Sequence, residues 1–367
     1  MSLEPATETA SGRYPDQQLV YEKAKTWLRD PRPARPYFFF KGPAGGGKTK
    51  VLADLCREYP DSTMCAFAGK SASVLRARTG LDVTTVHSAI FDFKGVHENE
   101  DGERQPIFQD KGVDFTGRLV FLDECGTIGT WLGEKLLDTG ARVISCGDPY
   151  QLKPVRDHRF FDEADAEITE IRRQAWDSAI IRQAHAMKDH GEYRPDGDDF
   201  QVIVKSQVRP NHLRFGGIAL CWRNLTRQRL NVSRRKALGH GGDTLEAGEP
   251  VMLLRNDHAK KVYNGEIYKV VCKRPPGEDL LVEAQDGRQI YLQNVTCEGI
   301  DAGFDERRDR DDWVPVALAY ATTVHKFIGS EENDVLLIDE YNTERERREW
   351  VYTGITRAAR RILVVQA

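Results

Sequence analysis

Apolar residues in this chain are concentrated in short continuous runs whose spacing predicts alternating strands and helices. Tyr37–Lys41, Leu119–Leu122 and Arg142–Cys146 each have the composition of a buried strand in a parallel sheet, where both faces of the strand are covered. Lys48–Glu58 has the pattern of a helix. The first half of the chain therefore predicts an α/β unit.

The second half begins in a similar way and then changes. GGIALCWRN (216–224) predicts a strand and a polar turn, and LTRQRLNVSRRKAL after it predicts a basic helix. That helix either contacts phosphates or presents a solvated charged face. From about 245 to 312, short alternating strands separated by the turn signals PPGED and QDGRQ predict a small antiparallel barrel.

Composition sets wide limits on the class of protein. The 367 residues suffice for two or three domains, and no apolar run approaches the ~20 residues of a membrane span. The polar start, residues 1–13, predicts a flexible tail on a cytosolic protein. Seven cysteines without a CxxC pair favour reduced thiols over disulfides or a zinc site. The net charge of −4 does not show whether the chain binds nucleic acid, because basic residues can be concentrated on one face.

A glycine-rich loop follows the first strand and has the full P-loop spacing, GxxxxGK[ST]. Its glycines allow backbone N–H groups to surround a phosphate, its lysine places a charge at the β- and γ-phosphates, and its threonine is a Mg²⁺ ligand. The predicted nucleotide-binding residues are Gly42, Pro43, Ala44, Gly45, Gly46, Gly47, Lys48 and Thr49.

Two adjacent carboxylates end the strand Leu119–Leu122. Asp123 can hold Mg²⁺, and Glu124 can polarise the attacking water. Such a pair after a strand is common by chance, but together with the P-loop it predicts an NTPase that depends on ATP and Mg²⁺.

The next strand leads into GDPYQLKPV (147–155), where Gln151 can sense the γ-phosphate. This segment resembles motif III of superfamily 1 helicases. AFAGKSASVL (66–75) and TTVHSAIF (84–91) resemble the TGKAA and TxH signature of the 5′→3′ branch, superfamily 1B, which includes RecD-like and Dda-like DNA helicases of phages and bacteria. Motifs IV, V and VI are matched by EIRRQAWDSAI (170–180), ATTVHKFIGSEENDVLL (321–337) and YTGITRAARRILVV (352–365).

The resemblance implies an α/β fold with two RecA-like P-loop motor domains, a β-hairpin insertion (1B) and an SH3-like β-barrel insertion (2B). We expect the first motor domain at 14–160 with 1B at about 91–115. The second is expected at 161–367 with 2B at about 245–312.

Further nucleotide contacts follow from the resemblance. Either Gln17 or Gln18 occupies the place of the adenine-reading glutamine, and the spacing to Tyr21 and the P-loop favours Gln18. Arg173 and Arg357 match the arginines that neutralise the γ-phosphate. Glu331 matches a ribose contact.

The resemblance also predicts contacts with single-stranded DNA, at Phe67, Lys70, Ser71, Thr85, His87, Thr323 and His325. For the two histidines the alternative is a purely structural role, and Phe67 either stacks on a base or fills the core. In the 1B hairpin, where Asp101-Gly102 is a turn signal, Phe91, Phe93 and Phe108 are candidates for the pin that separates strands. Aromatic side chains that only hold the hairpin together are the alternative.

One position departs from the family pattern. Motif V usually carries a glutamine where this chain has Ile328, and an aliphatic side chain cannot make the hydrogen bonds of that glutamine. The prediction of ATP hydrolysis does not depend on this position, whereas the coupling of hydrolysis to strand grip, and with it efficient unwinding, does.

The implied function is an ATP-dependent 5′→3′ DNA helicase that acts as a monomer on single-stranded and forked duplex DNA, with replication or recombination proteins as further partners. Two alternatives stay open. One is a viral-type RNA helicase of the same superfamily, and the other is a nucleotide-regulated protein that grips nucleic acid without unwinding it.

Overall fold

The computed structural model describes residues 12–98, 104–154, 157–169, 178–255, 260, 262, 264–272, 279–284, 287–300, 314–341 and 344–366. The chain divides into two compact units, Met1–Ile181 and Arg182–Ala367. Each unit is built around its own parallel sheet. None of the described helices is long and apolar enough to cross a membrane.

The first unit contains a six-stranded parallel sheet with the order β3-β2-β6-β7-β1-β8. Its strands and those of a separate hairpin are β1 (Tyr37–Lys41), β2 (Thr63–Ala66), β3 (Val83–Thr85), β4 (Phe91–Glu98), β5 (Arg104–Asp110), β6 (Leu119–Leu122), β7 (Arg142–Gly147) and β8 (Ala166–Glu167). The helices are α1 (Pro15–Arg29), α2 (Lys48–Arg57), α3 (Gly69–Thr79), α4 (Val86–Ile90), α5 (Thr130–Asp138) and α6 (Ala179–His190), of which α6 runs into the second unit.

Helices cover both faces of this sheet, as the apolar runs predict. Phe38 and Phe40 lie in one core with residues of α1, α2 and α3, whereas Phe39 between them lies in a second core with residues of α5. Successive side chains of a strand point to opposite faces, so three consecutive phenylalanines serve both cores.

The first unit extends further than the expected end at residue 160. β8 pairs in parallel with β1, with Ala166 opposite Phe40. The Asp165 carboxylate accepts a hydrogen bond from the Phe39 backbone N–H at 2.8 Å. These contacts add the segment after 160 to the first sheet, and the boundary follows Ile181.

The predicted hairpin is present as the antiparallel pair β4–β5, in which Phe93 lies opposite Phe108. The register shifts between Phe93 and Gly95, which marks a bulge. The Asp101-Gly102 turn and the side chain of Phe93 lie outside the described residues.

The second unit has a five-stranded parallel sheet with the order β17-β10-β18-β19-β9 and a six-stranded sheet with the order β14-β13-β12-β11-β16-β15. The strands are β9 (Phe200–Val204), β10 (Ile218–Cys221), β11 (Pro250–Leu253), β12 (Ile267–Val270), β13 (Leu280–Glu283), β14 (Gln289–Leu292), β15 (Val295–Glu298), β16 (Val314–Leu318), β17 (Ala321–Thr323), β18 (Glu332–Asp339) and β19 (Ala358–Gln366). The helices are α7 (Asn224–Ala237) and α8 (Glu344–Ile355).

The six-stranded sheet corresponds to the predicted barrel but differs from it in two ways. It continues through β16 to Leu318, past the expected end near 312. Its strands pair antiparallel except β15 and β16, which are parallel. A parallel pair needs a long connection, and the segment from 299 to 313 is long enough to supply one.

The basic helix α7 is largely structural. Arg227, Arg234 and Arg235 are buried. Arg227 pairs with Glu298 at 2.6 Å, and Arg235 pairs with Glu249 at 2.7 Å. Both glutamates come from outside the helix, so these arginines connect α7 to the six-stranded sheet and its entry segment. For them, the expectation of a phosphate-binding or solvated face is wrong.

Candidate active site

The phosphate loop connects β1 to α2, and the backbone of its glycines forms its shape. Gly45 and Gly47 have φ angles of 80° and 83°, in the left-handed region that glycine adopts without strain. Gly47 directly precedes α2. The loop therefore ends at a helix N-terminus, where free N–H groups and the helix dipole favour phosphate. Lys48 Nζ donates a 2.8 Å hydrogen bond to the Pro43 carbonyl, which holds the ammonium group over the loop.

Thr49 and Asp123 lie in contact although 74 residues separate them. The Thr49 hydroxyl donates a 2.9 Å hydrogen bond to Asp123 Oδ2. This contact joins the start of α2 to the carboxyl end of β6. The predicted pair of Mg²⁺ ligands is therefore assembled at one place by the fold.

The other oxygen of Asp123 is also held. Asp123 Oδ1 accepts hydrogen bonds from the Glu124 backbone N–H at 2.9 Å and from the Cys146 thiol at 3.0 Å. Burial, together with the negative charge of Asp123, raises the pKa of Cys146 well above its ordinary value, so its sulfur stays protonated and can donate. Cys146 is a contributor to this site that sequence reasoning missed, since nothing in a lone cysteine of a strand signals it.

These oxygens fit a hard divalent cation. Among the described residues, no three His, Cys, Asp or Glu side chains form a group that could hold a metal by themselves. Mg²⁺ is usually held by one or two protein oxygens together with water and substrate phosphates. A hydroxyl and a carboxylate beside a phosphate loop are a donor set of that kind.

Glu124 and Gln151 follow the ends of neighbouring strands. Glu124 has a φ of 53°, an unusual value for a residue other than glycine, and it stands directly before the short helical turn Cys125–Thr127. Backbone strain of this kind is concentrated at functional sites. Gln151 follows the buried Asp148, whose Oδ1 accepts the Tyr150 N–H at 2.9 Å. Arg159 donates to the Gln151 carbonyl, which orders the loop after β7.

Gln17, and not the preferred Gln18, contacts the phosphate loop. Gln17 is 1% exposed, and its Nε2 donates a 2.7 Å hydrogen bond to the Gly46 carbonyl. Gln18 is one position further along α1, and its amide bonds Arg13 and Glu22 instead. A helix turns about 100° per residue, so adjacent glutamines cannot face the same loop. The contact with the loop therefore favours Gln17, the other of the two predicted candidates, over Gln18.

The predicted strand-binding residues of the first unit lie along the same edge of the sheet as the nucleotide residues. All strands of this sheet are parallel, so the segments after β2, β3, β6, β7 and β1 emerge at one edge. Lys70 and Ser71 are buried in the first turn of α3. Thr85 caps α4, since its hydroxyl accepts the Ser88 N–H at 3.0 Å.

His87 lies in a group of aromatic rings. Its ring centroid is 5.9 Å from that of Phe67, 6.2 Å from that of Phe91 and 5.3 Å from that of Phe108. Burial lowers the pKa of His87 from its ordinary value of 6.5, so the imidazole is neutral at physiological pH. Phe67 is 37% exposed and does not fill the core. Its ring instead lies at the surface beside His87.

The hairpin phenylalanines join this group. Phe91 is buried, whereas Phe108 is 37% exposed, and their centroids are 5.8 Å apart. A further ring that sequence reasoning missed, Trp131, lies against Phe91. No spacing signal connects these two residues, since they are far apart in the chain and belong to different elements.

In the second unit, Thr323 ends β17 and His325 begins the short turn His325–Phe327. Burial lowers the pKa of His325. Ile328 directly follows that turn and is half-buried. Glu331 is exposed just before β18. Arg173 lies outside the described residues.

Arg357 is buried behind this segment. Its guanidinium donates to the carbonyls of Thr353 at 3.2 Å and Ser330 at 3.3 Å and to the Thr356 hydroxyl at 3.2 Å. All of these acceptors are neutral. The positive charge of Arg357 is therefore not cancelled by the hydrogen bonds described here.

Two family models match the chain. One, described as an AAA domain, matches residues 34–197, and the other, described as a UvrD-like helicase C-terminal domain, matches residues 318–365. The first contains the phosphate loop and the Asp123 site, and the second contains motifs V and VI.

The chain is similar in sequence to the RecD subunits of two bacterial RecBCD enzymes. It is 24% identical to the RecBCD enzyme subunit RecD of Mycolicibacterium smegmatis over 408 residues, covering 89% of this chain and 67% of that protein. It is 29% identical to RecD of Mycobacterium tuberculosis over 120 residues, covering 32% of this chain and 18% of that protein. The chain thus spans about two thirds of the first of these proteins and less than a fifth of the second.

Solved structures show the same fold. The Bacteroides Pif1 structure bound to single-stranded DNA superposes with a TM-score of 0.61 at 17% identity, covering 95% of this chain and 91% of that one. The Pif1 helicase of Candida albicans gives a TM-score of 0.60 at 17% identity, covering 96% and 93%. These likenesses confirm the α/β fold with two RecA-like domains.

Proposed function

We propose that this chain is a RecD/Pif1-like helicase of superfamily 1, an assignment that its motifs, its two family matches and its fold support. In this proposal the chain is an ATP-dependent motor that moves 5′→3′ along single-stranded DNA and separates duplex DNA. The observation that carries the proposal is the contact between Thr49 and Asp123 beside Lys48. The contact supports the proposal because the two candidate metal ligands lie together at the sheet edge that also carries Phe67 and His87.

Each candidate nucleotide-binding residue of the first unit has a defined chemical task in this proposal. Backbone N–H groups of the loop and Lys48 Nζ bind the β- and γ-phosphates. Thr49 Oγ1 and Asp123 would hold Mg²⁺, which would neutralise charge on the phosphates. Glu124 accepts a hydrogen bond from the attacking water and orients it. Gln17 takes the place of the adenine-reading glutamine, because it already touches the loop.

Several roles rest on the motif pattern alone. The charge compensation assigned to Arg173 and Arg357, the γ-phosphate sensing of Gln151 and the ribose contact of Glu331 stay proposals. The same holds for Lys70, Ser71, Thr85, Thr323 and His325 as strand contacts. Of the two described pin candidates, Phe91 is buried in the core, which fits the alternative role of holding the hairpin in place, whereas Phe108 is 37% exposed and stays a proposed pin residue.

The test is the steady-state ATPase rate of the full chain alone, with single-stranded DNA and with single-stranded RNA. Lys48→Ala is the blank, since it removes the phosphate-binding charge without touching the core. Stimulation by DNA that the blank lacks supports the proposal. Stimulation mainly by RNA would assign the chain to the RNA branch, and no stimulation by either would refute the motor function.

Polarity requires a second assay. The full chain is given ATP, Mg²⁺ and one of three DNA substrates: a duplex with a 5′ single-stranded tail, a duplex with a 3′ tail or a blunt duplex. We expect unwinding of the 5′-tailed substrate. ATP turnover stimulated by DNA without any strand displacement would instead favour a protein that grips the strand without separating it, the outcome to which the Ile328 departure points.

A further inference from the structure

Trp131 is a large aromatic side chain held at the surface. It lies in the first turn of α5 and is 51% exposed. Its ring stacks on that of Phe91, with centroids 5.3 Å apart and an interplanar angle of 6°. One face of the indole is therefore partly covered by an offset phenyl ring, and much of the remaining side chain faces solvent.

Phe91 is a rigid support for this ring. It is 6% exposed, lies in the core of the first unit and forms the first residue of the hairpin strand β4. Phe91 also lies 5.8 Å from Phe108 on the opposite strand, and Phe108 lies 5.3 Å from His87. Trp131 thus ends a continuous row of rings that begins at Phe67 and passes the foot of the hairpin.

Two lysines lie near the same foot. Lys94 and Lys111 both approach Asp92, at 3.8 Å and 3.9 Å. Asp110, which pairs with Phe91 across the hairpin, adds a second carboxylate, so the charges of the two lysines are balanced at this foot. A single nucleic acid strand fits this place chiefly through the row of rings, since its bases suit the indole and its phosphates can contact the two lysines.

We propose that Trp131 stacks on a nucleobase of the single strand at the foot of the β4–β5 hairpin. The inference rests on the proposed function, since it names an additional contact for the same strand. Every base has a π face, so such a contact is indifferent to sequence, as a motor requires. Fixing the indole on Phe91 beforehand reduces the entropy lost on binding.

The rival explanation is that Trp131 only covers the foot of the hairpin. A cover needs apolar volume, whereas stacking needs an aromatic face. Trp131→Leu keeps the first and removes the second, and Trp131→Phe keeps both. Tyr291→Leu is the matched control, because Tyr291 is a similarly exposed aromatic residue on the six-stranded sheet of the second unit.

The dissociation constant for an oligothymidylate is measured with the full-length wild type and the three variants. We expect Trp131→Leu to weaken binding by about five- to a hundredfold, the range for loss of one base–aromatic stack. Trp131→Phe should recover most of the affinity, and Tyr291→Leu should bind like wild type. Equal affinity of Trp131→Leu and wild type would overturn the proposal, as would a Trp131→Phe variant that binds as weakly as Trp131→Leu while unfolding at the wild-type temperature.

A spectroscopic measurement does not depend on the leucine variant folding. Indole emission of the wild type should be quenched by oligothymidylate, and most of that quenching should be lost in Trp131→Phe although five of the six tryptophans remain. Unchanged quenching in Trp131→Phe would refute the stack. Failure of the proposed function looks different, since the wild type itself would then neither bind the strand nor respond to it.

Discussion

The Thr49 hydroxyl lies 2.9 Å from Asp123 Oδ2 and donates a hydrogen bond to it. The contact joins the phosphate loop to the acidic strand end. Oxygens that the fold holds together lose little freedom when they bind a cation, so this contact supports the proposed metal site.

This contact predicts a difference between two substitutions of Thr49. Thr49→Ser keeps the hydroxyl and should retain most of the ATPase activity. Thr49→Val keeps the shape but removes the oxygen, and it should lower the rate by more than about tenfold and raise the Mg²⁺ concentration needed for half-maximal rate. Magnesium titrations of the ATPase rate distinguish the two. Identical titration curves for Val and wild type would contradict the metal assignment.

The two adjacent glutamines predict opposite outcomes. Gln17→Ala removes a buried hydrogen bond to Gly46 and should raise the KM for ATP about fivefold or more, the equivalent of ~1 kcal/mol. Gln18→Ala removes only contacts on the outer part of α1 and should leave KM near wild type. Initial rates over a range of ATP concentrations give both values. If Gln18→Ala were the damaging change, the position inferred from the structure would be wrong.

The buried pair of Arg235 and Glu249 should contribute strongly to the stability of the second unit. Glu249 also accepts a 2.8 Å hydrogen bond from the Tyr320 hydroxyl, so it connects α7, the barrel entry and the start of the motif V segment. Glu249→Gln leaves a buried guanidinium without its counter-charge and should cost ~3–5 kcal/mol. Thermal unfolding followed by circular dichroism should show a clear fall in midpoint.

Arg360→Met is the control for that experiment. Arg360 is a surface residue that shares Asp334 with Arg361, so its loss should change stability by only ~0.5 kcal/mol. Equal midpoints for Glu249→Gln and Arg360→Met would show that the buried pair contributes no more than a surface pair.

His87 predicts a loss of stability in mild acid. Burial lowers its pKa in the folded chain below the ordinary 6.5, so below pH 6.5 the unfolded chain binds more protons than the folded one. Stability should fall as the pH decreases from about 6.5 toward the lowered folded pKa and level off below it. Comparing the pH dependence of the urea unfolding midpoint of the wild type with that of His87→Phe isolates the contribution of His87. Parallel curves would mean that His87 titrates normally.

The phosphate loop and the Asp123-Glu124 pair could be predicted from sequence because each is one continuous segment. A glycine at φ 83°, a lysine and a threonine need only their neighbours and a strand–loop–helix context to form a phosphate site. The parallel sheets could also be predicted from sequence, since continuous apolar runs such as Leu119–Leu122 indicate strands that are buried on both faces. The fold class and the order of its units follow from such local signals.

Contacts between segments far apart in sequence were decided only by the tertiary structure. Gln17 rather than Gln18 meets the loop because of how α1 is rotated against it, and one residue of rotation is invisible in the spacing. The edge pairing of β8 with β1 moves the unit boundary to Ile181. Packing likewise buries the arginines of α7 and stacks Trp131 on Phe91. The sequence by itself determined which chemistry the chain carries, because that chemistry lies in contiguous motifs. Only the tertiary structure determined which side chains meet, because such contacts depend on packing geometry that no single segment encodes.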